Sequence, residues 1–338
     1  MSTTDLPDTA ALPTFDDIRA AAKRIAGICT RTPLLESPWL NRKIDGRLLL
    51  KAENLQVTGS FKLRGAANRV AALTENERRR GVSARSSGNH GLALAHCAGL
   101  MGTTATVVTP DDASSAKVER IKAHGGTVVQ APAHRIAAVA AEITAREHRV
   151  FVPPADDPWV VAGQGTAAVE IVEQARSMGL TIDVLLVCCS GGGLAAGCAL
   201  ALEALSPQTR LVAVEARGFE KMARSLSAGR RLDLSPGGRT ICDAIGGLHT
   251  AAIPFEILKG RIADTIAVTD DDARLAMQVA FSEFGLAVEP GGAVALAAAL
   301  TCRRSLADRV IAVTISGRNV DLGLAADALS PARIDKTA

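Results

Sequence analysis

Tyrosine is absent from this chain of 338 residues, and only seven phenylalanines and two tryptophans supply aromatic surface. Catalysis by a phenol is excluded and little is left for stacking bases, so small side chains and the 30 glycines must shape any site. An excess of one charge is missing too. The 38 basic and 35 acidic residues are spread along the chain for a net charge of +3, without a basic tail, and nucleic acid is not an expected partner. No apolar run reaches the roughly 18 uninterrupted residues of a membrane span, so no membrane is expected. The opening MSTTDLPDTAALPTFDDI has neither the basic region nor the apolar run of a secretory signal. The seven cysteines, Cys29, Cys97, Cys188, Cys189, Cys198, Cys242 and Cys302, are odd in number and lack CxxC spacing. They read as reduced thiols of a cytoplasmic protein, packed as small core residues, rather than as a disulfide framework or a zinc site. Internal repeats, heptads and low-complexity tracts are also missing.

With 48% hydrophobic and 22% charged residues the chain can bury a large core, and its length suits two domains. Short β-branched runs (RLLLKAE, TTATVVTP, GTVVQAP, RVFVPP, DVLLVCC, RLVAVEA, DTIAVTD, RVIAVTI) alternate with longer Ala-rich stretches of helical spacing. That alternation predicts an α/β fold of mostly parallel sheets with crossover helices. Helices are expected to start at the turns 59–60, 87–89 and 191–193, at the strand ends where open α/β sheets bind ligands. Four strands are expected between residues 81 and 158, forming a small domain over 81–158, with 1–80 and 159–338 forming the large one. The PPADDP stretch, residues 153–158, predicts the return crossing. No room for a regulatory module is expected near Ala338.

Three segments carry chemistry. CSGGGLAAG, residues 189–197, follows an apolar strand and enters an Ala/Leu helix, so its N–H groups and the helix dipole suit a phosphate. A tight turn with glycines for close packing explains it equally well. No GK[ST] follows to make a Walker loop, and GxGxxG spacing with an acidic residue about 20 positions on is missing, which argues against a dinucleotide site. SSGNHG, residues 86–91, offers hydroxyls, an amide and backbone donors to a carboxylate, although an N-cap cluster with Asn89 and His90 in the first turn also accounts for it. Lys62 opens KLRGAANRVAAL, where the helix dipole disfavours a cation. A neutral Schiff-base lysine avoids much of that conflict; an ordinary surface lysine is the other reading.

In this order and at these separations, GSFKLRGA, SSGNHG, SGGGL, VEPGGA and SGRN resemble the serine/threonine dehydratase and serine racemase family of fold-type II pyridoxal-phosphate enzymes. The likeness runs from about Phe15 to Leu322, with GSFKLRG and SSGNHG its most specific part. It implies a tryptophan-synthase-β-like fold type II, two open twisted sheets flanked by helices with pyridoxal 5'-phosphate in the cleft, and a homodimer or other homo-oligomer. It further implies that Lys62 carries the cofactor as a Schiff base, that Phe61 lies against the ring and that Asn89 bonds the phenolic oxygen. Ser190, Gly191, Gly192, Gly193 and Leu194 match the phosphate loop, and Ser316 the residue at the pyridine nitrogen. Ser86, Ser87, Asn89 and His90 match the loop for the substrate carboxylate. The implied activity is dehydration of a 3-hydroxy amino acid of threonine, serine, phenylserine or 3-hydroxyaspartate type to a 2-oxo acid and ammonia, with Lys62 as the base at Cα. Ser87 also matches the acid/base of the opposite face that racemisation needs, so a racemase is the alternative. A non-catalytic cofactor-binding sensor would not need Lys62, Ser87, Asn89 and Ser316 together.

The chain departs from the family pattern in places. Members with a divalent-cation site place a carboxylate near Glu215 and another six residues on, where this chain has Lys221. An ammonium cannot ligate a hard cation; pairing with Glu215 and little metal dependence are expected instead. SGGN is replaced by SGRN, so Arg318 either binds a substrate carboxylate or packs outward. Arg135 lies one or two residues from where serine racemase has a substrate-contacting arginine. Ala244 stands where glycine often faces the ring. EARGFEKMARSLSAGR and PPADDPWVVAGQGT resemble the branch with hydroxyectoine-utilisation and specialised 3-hydroxy amino acid dehydratases, with Trp159 or Arg318 as candidates to bias substrate choice.

Overall fold

The computed structural model describes residues 11–86, 88–113, 115–302 and 306–330. Helix α1 (Phe15–Arg24) begins at a capping box between Thr14 and Asp17. Then come β1 (Leu34–Glu36), α2 (Pro38–Ile44), β2 (Arg47–Lys51), α3 (Lys62–Ala71) and α4 (Glu75–Arg80). The middle of the chain forms β3 (Val82–Arg85), α5 (Asn89–Leu100), β4 (Ala105–Pro110), α6 (Ser115–Ala123), β5 (Thr127–Ala131), α7 (Ile136–Arg146) and β6 (Val150–Phe151). After it follow α8 (Pro158–Ser177), β7 (Val184–Cys188), α9 (Gly193–Leu205), β8 (Arg210–Ala216), α10 (Lys221–Ala228) and α11 (Ala252–Leu258). The last elements are β9 (Asp264–Val268), α12 (Asp270–Phe284), α13 (Pro290–Thr301), β10 (Val310–Thr314) and α14 (Leu322–Leu329).

Two sheets result. One has the order β1-β2-β10-β7-β8-β9, parallel throughout except for β1 against β2. The other has the order β5-β4-β3-β6 and is wholly parallel, built from the four strands expected between residues 81 and 158. Helices cover both faces of the larger sheet, so a central strand such as VLLVC of β7 is buried at every residue. Strand β1 is too short to show in the sequence; its pairing with β2, Leu34 opposite Lys51, makes it a strand. The core beneath the smaller sheet also draws on α3, through Leu63, Ala66, Ala67 and Val70. Among the described residues, no helix is long and apolar enough to cross a membrane.

The proline-rich crossing is explained by its capping. Asp157 is the N-cap of α8 and accepts the Val160 N–H at 2.9 Å, while Pro158 takes the first helical position, where no N–H is needed. Helix α8 then lies against α9 at backbone distance. A Cβ on Gly197 would stand 2.5 Å from the Val161 carbonyl and the Gly165 nitrogen, so only glycine allows the approach.

A buried ion network anchors α3. Arg64, from the GSFKLRG segment, donates to Glu53 at 2.7 and 2.8 Å and to Glu170 of α8 at 2.7 Å. Lys51, at the end of β2, reaches the same Glu170 at 2.6 Å.

Candidate active site

The carboxyl ends of β2, β3, β6, β7 and β10 lead into loops that line one cavity of about 300 Å³. Lys62 enters it from the start of α3. Its Nζ donates to the Pro154 carbonyl at 2.8 Å and lies 5.0 Å over the Phe61 ring. Burial pulls the ammonium down to about 8, against the pull of Cys188 and Glu289 in the other direction. The ammonium is still the major form near physiological pH, but the neutral fraction is far larger than for an ordinary lysine.

Across the cavity lie Ser190, Gly191, Gly192, Gly193 and Leu194, between β7 and α9. Gly192 is the N-cap of α9 at φ 93°, with no side-chain cap on the helix, so the first N–H groups of α9 are left for a ligand. Side chains on Gly191 or Gly193 would press on Ala155 at 3.1 Å. Ser316, buried at the end of β10, and Cys188 complete this side.

A chain of amides fixes Asn89, the first residue of α5. Asn319 donates from Nδ2 to the Thr58 carbonyl at 3.0 Å and to Asn89 Oδ1 at 2.5 Å. Because the Thr58 carbonyl can only accept, both amide orientations are set, and Asn89 Nδ2 must face Glu289, Oε1 at 2.6 Å. Burial raises the Glu289 carboxyl to about 7, opposed by the Asn89 bond. Gly317 has no Cβ because Glu289 occupies that space.

His90 is buried, and burial with the Lys62 charge pushes it down to about 4, so the ring is neutral. Its Nε2 must donate to the Val152 carbonyl at 2.8 Å, which leaves Nδ1 as an acceptor without a partner. The ring cannot donate to a carboxylate in this state; any such role falls to the backbone N–H groups of the first turn of α5.

The cavity thus brings together Phe61, Lys62, Ser86, Asn89, His90, the glycine loop and Ser316. Ser87 lies outside the described residues. Arg135 is not brought to the cavity: it is exposed at the start of α7 and faces Glu142 at 3.6 Å. Arg318 turns outward and donates to the Asn54 carbonyl, its stem packed on Gly59. Trp159 also lies away, its ring taking the Arg24 guanidinium at 4.9 Å. Ala244 does line the cavity. Lys221 makes no direct bridge to Glu215; it donates to the carbonyls of Ile245 and Phe219, while Glu215 accepts the Met222 and Ala223 N–H groups. No cluster of three metal-ligating side chains occurs among the described residues.

Sequence reasoning passed over Glu289, Asn319, Lys117 and Asp243. The first two belong to the motifs VEPGGA and SGRN, where a polar residue just before PGG or just after SGR is the available signal. Lys117 and Asp243 pair at 2.5 Å at the cavity, across 126 residues of chain, and nothing local announces that.

These residues fit pyridoxal phosphate. A lowered amine suits an aldehyde, and an uncapped glycine-lined helix start in the same cavity suits a phosphate.

Comparison with known proteins agrees. A family model described as pyridoxal-phosphate dependent enzyme matches residues 25–317. The chain is 35% identical over 319 residues to serine racemase of Schizosaccharomyces pombe, covering 94% of this chain and 97% of that one. It is 32% identical over 313 residues to L-threo-3-hydroxyaspartate ammonia-lyase of Saccharomyces cerevisiae, covering 92% and 94%. The solved structure of maize serine racemase is similar with a TM-score of 0.88 at 34% identity, covering 94% of this chain and 97% of that one. A solved threonine deaminase reaches the same TM-score at 39% identity, covering 92% of this chain and 99% of that one.

Proposed function

The chain belongs to the pyridoxal-phosphate-dependent enzymes, and from that premise we propose that it is a dehydratase, taking water from a 3-hydroxy amino acid to give a 2-oxo acid and ammonia. The observation that carries the reading is the Lys62 amine, brought down to about 8 by burial in the same cavity as the glycine loop and Ser316. Similarity to an ammonia-lyase acting on L-threo-3-hydroxyaspartate and to a threonine deaminase supports it.

When bound, pyridoxal phosphate would supply an aldehyde for Lys62 and an electron sink for charge developing at the substrate Cα. Lys62 would hold the cofactor through its amine, and the same amine, lowered to about 8 by burial, would serve as the base for the substrate Cα proton. The N–H groups of Gly191 to Leu194 and the Ser190 hydroxyl would hold the phosphate with the α9 dipole. Ser316 would offer the ring nitrogen a neutral hydroxyl, and Asn89, fixed by Glu289 and Asn319, would be the partner of the phenolic oxygen. Phe61, which lines the same cavity, would pack against the ring. Ser86, Ser87 and the N–H groups of Asn89 and His90 would receive the substrate carboxylate. Loss of the Cα proton and the β-hydroxyl amounts to one water, and the enamine so formed hydrolyses to the 2-oxo acid and ammonia.

We further propose that residues 81–158 act as a small domain over the cavity, and that the protein works as a homo-oligomer. Racemisation is the second reading, favoured by the similarity to serine racemase, with Ser87 as the acid/base opposite Lys62. Incubating purified protein with L-threo and L-erythro 3-hydroxy amino acids decides between them. The 2-oxo acid and ammonia are expected in equal amounts; the D-enantiomer without 2-oxo acid would overturn dehydration. Lys62→Ala is expected to lose borohydride-fixed label and at least about 10³-fold in turnover.

A further inference from the structure

The chain between α10 and α11 gives Asp243, Ala244, Ile245 and Gly247 to the cavity. Residues 229–251 contain no regular element beyond the 3-10 turn Asp243–Ile245, so no backbone ladder stiffens this wall. Outside its own turn, backbone bonds tie the stretch at Leu234 N–H to the Leu248 carbonyl, 3.0 Å, and at Ala251 N–H to the Gly191 carbonyl, 3.3 Å, and side chains hold the part that lines the cavity. Asp270 of α12 takes the Thr240 hydroxyl at 2.5 Å and the Ile241 N–H at 3.2 Å. Lys117 of α6 takes Asp243 at the solvent side. On the inner side, the Lys221 ammonium donates to the Ile245 carbonyl at 3.1 Å and to the Phe219 carbonyl at 3.5 Å.

Lys221 has no exposed surface, and it stands at the first position of α10, where the helix dipole opposes a cation. Burial lowers its pKa, and the nearby charge of Glu215 opposes that shift. Glu215 is itself buried and caps α10 through the N–H groups of Met222 at 3.0 Å and Ala223 at 2.9 Å. Met222 lies beneath the glycine loop, 2.6 Å from where a Gly192 Cβ would stand. One residue therefore touches the wall and its neighbour touches the phosphate loop. A methionine of similar volume would fill the space at Lys221 without burying a charge, so what the ammonium adds is direction: donors aimed at oxygen atoms.

We propose that Lys221 is a positioning residue, a cation carried by the chain itself that holds the Ile245 carbonyl and, through it, the wall 242–247 in the form that binds substrate. The inference rests on the cavity being the substrate site of a dehydratase. Lys221 touches no reacting atom.

The test compares Lys221→Met and Lys221→Gln with the wild-type holoenzyme. Amide exchange over residues 240–248 is expected to quicken by about tenfold, the worth of one charge-assisted hydrogen bond, with β7 and β8 unchanged. Substrate KM should rise by a similar factor of about ten with kcat little altered, because the wall holds ground state and transition state alike. In Lys221→Ala, added methylammonium should restore KM and tetramethylammonium, too bulky for the space, should not. Ile171→Val, in the distant core, serves as the control for general loosening. Wild-type exchange over 240–248 in both variants, or exchange quickened uniformly through the molecule as in the control, would overturn the proposal. Thr240→Val supplies an arm that does not depend on the Lys221 variants folding: it loosens the same wall from the Asp270 side, and Lys221 should then become open to acylation by acetic anhydride. Continued protection of Lys221 while the wall exchanges rapidly would also sink the idea. Exchange is blind to the reaction, so a failed substrate panel with the exchange result intact would reject the dehydratase reading alone.

Discussion

Two ionisable side chains of the cavity, Lys62 and Glu289, are shifted in opposite directions by burial, and each has a measurable pH signature. Lys62 is held at about 8 by burial, so its neutral, reactive fraction grows as pH rises through that value rather than through the ordinary 10.5. The rate at which cofactor-free protein turns yellow on adding pyridoxal phosphate should therefore level off above about pH 8; a rate still climbing tenfold per unit toward about pH 10 would contradict the burial assignment. Glu289 shifts the opposite way, from 4.5 to about 7. Its folded value is raised, so its contribution to stability is complete below about pH 4.5 and is lost as pH climbs toward about 7, by an amount on the order of 3 kcal/mol. Glu289→Gln should flatten that fall in urea-unfolding free energy measured on the cofactor-free protein. Both residues belong to motifs of the sequence, GSFKLRG and VEPGGA, but only Lys62 is legible there as a candidate, because a cation at a helix start conflicts with the dipole. Glu289 became visible only once Asn89, 200 positions away, stood against it.

Helix α3 carries Lys62 at its first position and Arg64 two residues later, on the side that faces Glu53 and Glu170. The arginine anchors the first turn of the helix that carries the lysine. Truncating it leaves Glu53 buried with its main partner gone, and Arg64→Ala should destabilise by about 3–5 kcal/mol. Thermal and denaturant unfolding would register the loss, along with weaker cofactor retention; a change below about 1 kcal/mol would mean the network carries little. The sequence foretold the helix from KLRGAANRVAAL and the strands from their β-branched runs. It also foretold that helices start at the glycine turns, since glycine at positions like Gly192 adopts a φ of 93° that other residues resist. It could not foretell β1, a three-residue strand that exists only because β2 pairs with it.

Over the whole molecule, the cavity lies between loops of the two sheets, and the Lys117–Asp243 pair ties α6 of one to the irregular wall of the other. The aspartate is more than half exposed, so salt screens the tie. Asp243→Asn should raise substrate KM a few-fold, and added salt should raise it in the wild type but much less in the variant; equal salt dependence in both would remove the pair from this role. The sequence by itself determined the parallel α/β layout, the cofactor family and the glycine loop, because period-two and helical patterns, glycine turns and a misplaced lysine are local signals. Tertiary structure alone decided which distant side chains share the site. It turned Arg135, Arg318 and Trp159 away, made His90 an acceptor by committing Nε2 to Val152, set Asn89 through Asn319 and Glu289, and aimed Lys221 at a carbonyl instead of at Glu215. Burial and hydrogen-bond direction fix those roles, and both arise only when the chain has closed on itself.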